Sequence, residues 1–141
     1  MINIGLGEQL CSLLTSRDEK IVAYSLWNIA SLSDVLATSI LKGNSLFTQT
    51  NRLLFLLIRV GGYHNPVLTY FASQSIANLL FDSDRMKNEA LSNKILSMLV
   101  AELTIQKDEC VIHQLLICLS NLLTDSSTVI IFDKNSLINL I

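Results

Sequence analysis

Helix breakers are scarce in this sequence: one proline (Pro66) and five glycines stand among 141 residues. That excludes collagen-like and Pro/Gly-rich low-complexity chains. Charge is sparse as well. Only 16% of residues are Asp, Glu, Lys or Arg, the formal net charge is −2, and like charges form no block. A nucleic-acid binder needs a basic surface to displace counterions from phosphates, so no nucleic-acid partner is expected. Long apolar runs are missing too. The longest, Leu53–Ile58, ends at Arg59, far short of the ~20 residues that span a bilayer. The opening Met1-Ile2-Asn3-Ile4-Gly5 lacks the basic start and small-residue cleavage site of a secretory signal. The three cysteines, Cys11, Cys110 and Cys118, are odd in number and match no zinc or redox spacing. On one helix Cys110 and Cys118 lie about 12 Å apart, too far for a disulfide. Buried free thiols in a reducing compartment, cytosol or nucleus, are the expectation.

Apolar residues are what the chain has in quantity: 50% of it, with a mean hydropathy of +0.47. That excludes a disordered chain and suffices for one domain over residues 1–141 with a real core. The apolar residues recur at helical spacing. Val22, Leu26 and Ile29 do so, as do Val67, Phe71 and Leu79 with Ala72 and Ile76, and Val111, Leu115, Leu119 and Leu122. Short polar residues (Asp34, Ser92-Asn93, Asp108) stand where helices start, and Gly43 and Gly61-Gly62 where they end. The pattern predicts helices over 6–15, 17–31, 34–42, 46–60, 66–81, 84–91, 93–105 and 108–124, with another start near 127.

An internal repeat organises these helices. Ser25-Leu26-Trp27-Asn28-Ile29-Ala30, Ser75-Ile76-Ala77-Asn78-Leu79-Leu80 and Cys118-Leu119-Ser120-Asn121-Leu122-Leu123 share one pattern: small, aliphatic, variable, Asn, aliphatic, apolar. Each is followed by a polar stop, Ser33-Asp34, Ser83-Asp84 or Ser126-Ser127, and the asparagines are spaced by 50 and then 43 residues. A second anchor keeps phase: Leu46, Ile95 and Leu137, in Asn44-Ser45-Leu46, Asn93-Lys94-Ile95 and Asn135-Ser136-Leu137, follow the motif asparagines by 18, 17 and 16 residues. The units run over about 1–33, 34–83 and 84–126, with a partial unit 127–141. Each is a short helix, a longer one and a third that ends in the Asn motif.

Asn28-Ile29-Ala30-Ser31, preceded by Ala23, resembles the end of the third helix of an armadillo repeat of the importin-alpha type, and Gly43 stands where the glycine between the first and second helices stands in that family. The resemblance covers almost the whole chain. It implies an all-α, right-handed superhelical solenoid of about three repeats with incomplete ends, part of a longer array or covered at its ends by another chain. It also implies a non-catalytic scaffold, without cofactor, that holds a protein or extended peptide along a concave groove, as nuclear transport adaptors do. The contacting residues it implies are Asn28, Asn78 and Asn121, whose amides bond a peptide backbone, with Tyr24, Gln74, Ile117, Phe71 and Gln114 lining the same face. The positions where importin-alpha-like grooves carry Trp hold Tyr24, Gln74 and Ile117 here. That departure points away from a basic nuclear-localisation peptide and toward an extended or amphipathic one. Trp27, beside Asn28 on the helix, is expected to pack.

Two alternatives stand beside this reading. The asparagines can instead brace neighbouring helix ends within the array. The uncapped repeat ends can serve self-association, because solenoid units bury apolar faces against their neighbours. Catalytic signatures are weak. His64 and His113 have no Cys, Asp or Glu at a ligand spacing, so no metal site is expected, and Gly5-Leu6-Gly7 lacks the continuation of a phosphate loop. Asp18-Glu19 and Asp108-Glu109 sit at helix starts, where the macrodipole favours acids, and Asp34, Asp82, Asp84 and Asp125 read as caps and turns.

Overall fold

The computed structural model describes residues 6–41, 50–81 and 83–123. All of their regular structure is helical: α1 (Leu6–Leu14), α2 (Glu19–Leu41), α3 (Thr50–Gly61), α4 (Pro66–Leu80), α5 (Asp84–Ser92), α6 (Ile95–Ile105) and α7 (Glu109–Leu122). Gly43, the start of the helix expected over 46–60, the Ser126-Ser127 stop and the partial unit 127–141 lie outside the described residues.

Local chemistry accounts for the starts of α4, α5 and α7. Asn65 caps α4, its Oδ1 accepting from the Val67 and Leu68 amides at 3.0 and 3.3 Å, and Pro66 occupies the first turn, where a missing N–H costs nothing. Ser83 caps α5 through the Met86 amide, and Asp108 caps α7 through the Cys110 and Val111 amides. Between α5 and α6 the chain turns at Lys94, in the left-handed region at φ 63°.

One expected boundary is absent. The sequence predicts a helix end at residue 31 and a new start at Asp34, yet α2 runs unbroken from Glu19 to Leu41. The register-equivalent serines explain the difference. Ser83 Oγ accepts from Met86 N and so starts a helix, whereas Ser33 Oγ donates to the Ala30 carbonyl at 2.7 Å and thereby continues one. The boundary drawn between units at 33 and 34 thus falls inside one helix.

Two rows of helices make up the packing. In the first, α4 lies between α2 and α7 and packs extensively on both; among the described residues α2 and α7 share no comparable packing. In the second, α3 packs on α1 and α6 and also supports α4 from behind, while α5 braces α3, α4 and α6. The core runs between the rows. Leu53, Leu54 and Leu57 of α3 meet Ile76, Leu79 and Leu80 of α4, and the same cluster continues through Met86, Ile95 and Leu99 to Leu115. Fully burying a Leu or Ile side chain contributes roughly 1.5–3 kcal/mol. Gly61 makes the close approach of α3 to α4 feasible: a Cβ there would stand 3.3 Å from the Ala72 methyl and 3.5 Å from the end of Met98.

Candidate functional site

Helices α2, α4 and α7 each bring one repeat of the Asn motif into the first row. Tyr24 and Asn28 sit one turn apart on α2, both exposed. Phe71, Gln74 and Asn78 follow on α4, and Gln114, Ile117 and Asn121 on α7, all half-buried. The row therefore brings all eight predicted contact residues onto three neighbouring helices.

The amides do different things along it. Asn121 Nδ2 donates to the Ala77 carbonyl of α4 at 2.9 Å, and Asn78 Nδ2 donates to Ser33 Oγ of α2 at 2.7 Å. Both reach back to the preceding helix of the row. Asn28 Nδ2 donates to the Tyr24 carbonyl of its own helix at 3.0 Å. A primary amide has two donor hydrogens and an acceptor, and at Asn78 and Asn121 one donor ties adjacent helices together.

The outward face of the row is more apolar and aromatic than its asparagines suggest. Tyr24 is 62% exposed, Trp27 57%, Val67 52% and Phe81 65%. Trp27, expected to pack, instead stands in solvent beside Tyr24, with ring centroids 6.4 Å apart. The register explains this: position 27 matches Ala77, whose methyl is buried between α4 and α7, and an indole does not fit in so narrow a seam. At the N-terminal ends of α4 and α7 an open cleft of about 170 Å³ is lined by Pro66, Val67, Tyr70, Phe71, Asp108, Cys110 and Val111. Tyr70 and Phe71 meet edge to face at 5.2 Å in its wall.

A polar cluster that the spacing did not reveal lies on the other side of α4. Glu102 of α6 is fully buried. Its Oε1 accepts from Gln106 Nε2 at 2.9 Å and faces the Thr69 hydroxyl at 3.2 Å, while Oε2 pairs with His64 Nδ1. The single Thr69 proton also has the Gly61 carbonyl at 2.8 Å as acceptor. His64 stands in the α3–α4 turn at φ 64°, with its side chain 61% exposed. The cluster thus fastens that turn and α4 to α6. Its signal in the sequence was Glu102 itself, a carboxylate on the stripe Ile95, Leu99, Glu102, Gln106 that the other spacings mark as buried.

The thiols divide by position. Cys110 is exposed at the cleft, whereas Cys11 and Cys118 are buried. Burial pushes the Cys118 thiol up to about 12 and also raises Cys11, against a smaller lowering by Arg52. Neither is poised as a nucleophile, which requires the thiolate. Among the described residues no group of three or more His, Cys, Asp and Glu side chains gathers as for a metal, and no helix is long and apolar enough to cross a membrane. Of the four aspartates read as caps and turns, Asp84 is the one with a described side chain; it is exposed, in the first turn of α5, 4.0 Å from Lys87 Nζ. Comparison with models of known protein families and with curated proteins gives no match.

Proposed function

We propose that this chain is a non-catalytic protein-binding scaffold of armadillo-like, right-handed solenoid form, and that its partner lies across the outward face of α2, α4 and α7. The observation that carries the reading is the run of exposed aromatic and aliphatic side chains along that row, Tyr24 and Trp27 on α2, then Val67 on α4 and Phe81 just past its C-terminal end. Large rigid side chains of this kind dominate binding energy at protein interfaces. The helices beneath them are already packed, so the surface binds without first ordering itself. The bracing of Asn78 and Asn121 to neighbouring helices gives those amides a structural share in the design. They set the spacing of the row, and the aromatic residues supply the contact. An apolar, extended or amphipathic segment of a protein suits this face better than a basic peptide. The three free thiols fit a reducing compartment, cytosol or nucleus.

Photo-crosslinking tests the proposal. A benzophenone amino acid at position 24 or 74 should capture one and the same partner, while the same group at Phe55, exposed on α3, should not. Replacing Tyr24 and Phe81 together by Ser should weaken capture about tenfold or more, with melting unchanged, because both side chains are largely solvent-exposed already. Equal capture from position 55, or undiminished capture by the double variant, would refute it.

A further inference from the structure

Helix α3 is buried along one side and charged along the other. Leu53, Leu54 and Leu57 face the core, whereas Asn51, Arg52, Phe55 and Arg59 are all exposed, Phe55 by 46%. At about 100° of rotation per residue, Arg52, Phe55 and Arg59 fall within an arc of about 60°, opposite the leucines. The two arginines are seven residues apart, a rise of about 10 Å, and Phe55 lies between them. Arg85, also exposed, joins the stripe from α5: its Nη2 donates to Asn51 Oδ1 at 3.4 Å. Three of the chain's four arginines therefore meet on this one face, and α3 carries no acid. The ion pairs among the described residues, His64–Glu102 and Lys87–Asp84, use none of the three. Glu89, the other acid of α5, accepts from Asn93 Nδ2 at 3.5 Å.

We infer that this face of α3 docks an acidic amphipathic helix of another protein, one with carboxylates on either side of an apolar residue. The occupant follows from charge complementarity. Like charges close together on a helix surface repel, and on α3 no acid offsets Arg52 and Arg59; carboxylates of a partner do. The residue type agrees with this occupant. A guanidinium is a planar fork that holds a carboxylate through two parallel hydrogen bonds, and it is more weakly hydrated than an ammonium group. Arginines and large aromatic side chains also dominate binding energy at protein interfaces, and Phe55 supplies the apolar anchor. A partner helix with acids seven residues apart and an apolar residue midway repeats the spacing of Arg52, Phe55 and Arg59. A nucleic acid or an anionic membrane suits the face less. Each is met by a broad basic surface, which three guanidiniums around one phenyl ring, on a chain of net charge −2, do not make. The face belongs to the second row of helices, and its occupant is distinct from the partner proposed for α2, α4 and α7.

Fluorescence anisotropy of the full chain with a fluorescein-labelled helical peptide tests this, the peptide carrying Glu residues seven apart and a Leu midway. It should bind at low salt with a Kd below about 100 μM, and at least about tenfold more weakly in about 0.5 M salt. The same peptide with Gln in place of Glu should bind at least about tenfold more weakly than the acidic one. Arg52→Gln with Arg59→Gln should weaken binding of the acidic peptide about tenfold, and Phe55→Ser, which leaves the charge unchanged, about fivefold. All three side chains are exposed, so folding is retained, and circular dichroism verifies it. Tyr24→Ser, on the other row, should bind the peptide like wild type. An acidic peptide that does not bind, binding undiminished in either α3 variant, an equal loss in the Tyr24 variant, or tighter binding of a labelled oligodeoxythymidine or of phosphatidylserine vesicles than of the peptide overturns the inference. None of these outcomes bears on capture at positions 24 and 74, whose failure would leave this inference standing.

Discussion

Replacing Glu102 by Ala is the perturbation with the best-defined structural consequence. The carboxylate is fully buried and is shared by three residues, Gln106 one turn on and, from two other segments of the chain, Thr69 of α4 and His64 of the α3–α4 turn. Truncation leaves the Gln106 amide, on a residue only 8% exposed, without its 2.9 Å acceptor. An orphaned buried donor costs about 1–3 kcal/mol. It also opens a cavity the size of a carboxymethyl group. Against these losses, the cost of holding a carboxyl group out of water disappears with the group. Thr69 loses little, because the Gly61 carbonyl remains at 2.8 Å. The balance is a net destabilisation of about 3 kcal/mol, a shift of roughly 10 °C in Tm for a domain of this size. Urea unfolding followed by far-ultraviolet circular dichroism measures it, with an unchanged slope showing that the denatured state is unaffected. Glu102→Gln keeps the shape and one acceptor and should lose less than half as much. A Glu102→Ala chain within about 0.5 kcal/mol of wild type would refute the view that the cluster fastens α6 to α4.

Further predictions concern the thiols and the asparagines. In the native chain a thiol reagent should label Cys110 rapidly and reach Cys11 and Cys118 only on unfolding, as peptide mapping after labelling will show. Cys118 stays neutral to about pH 12 when folded but ionises from its ordinary value of 9.0 when unfolded. The unfolded state therefore binds fewer protons above pH 9.0, and stability falls with rising pH in the window from 9.0 to about 12, by about 1.4 kcal/mol per unit at most. Cys118→Ala, less stable at neutral pH, should lose that part of the slope. Asn121→Ala should cost about 1–2 kcal/mol, because its amide bridges α7 and α4. Asn28→Ala, whose amide bonds only its own exposed turn, should stay within about 0.5 kcal/mol in dilute solution.

Periodicity and capping chemistry made most of the fold legible. Pro66 after Asn65, and Asp108 before an apolar stripe, mark helix starts that the structure places within a residue or so of expectation. Such signals are local, and a helix end is a local event. The boundary at Ser33 failed for the same reason. Ser33 and Ser83 are alike in sequence, and which way the hydroxyl turns depends on a neighbour 45 residues away, the Asn78 amide that bonds Ser33. The row was legible, since the repeat register brings Tyr24, Gln74 and Ile117 onto successive helices. Its chemistry was less so. Whether a given Asn faces a groove or a neighbouring helix differs by a few tens of degrees of rotation, which residue spacing alone does not resolve. Trp27 looked like a packing residue by its type, yet its place in the register, opposite a buried alanine, leaves it outside. The His64–Glu102 pair joins positions 38 residues apart, and no spacing rule for ligands reaches that far.

The proposed partner face requires α2, α4 and α7 to lie in a line rather than close into a bundle. Spin labels at positions 24 and 117, with Cys110 replaced by Ser and the protein dilute, measure this by electron paramagnetic resonance. Neighbouring helices pack about 8–10 Å apart, so a linear row places the two labelled helices on the order of 20 Å apart, with α4 between them. A separation of about 10 Å, the spacing of helices in direct contact, would contradict the row and everything built on it.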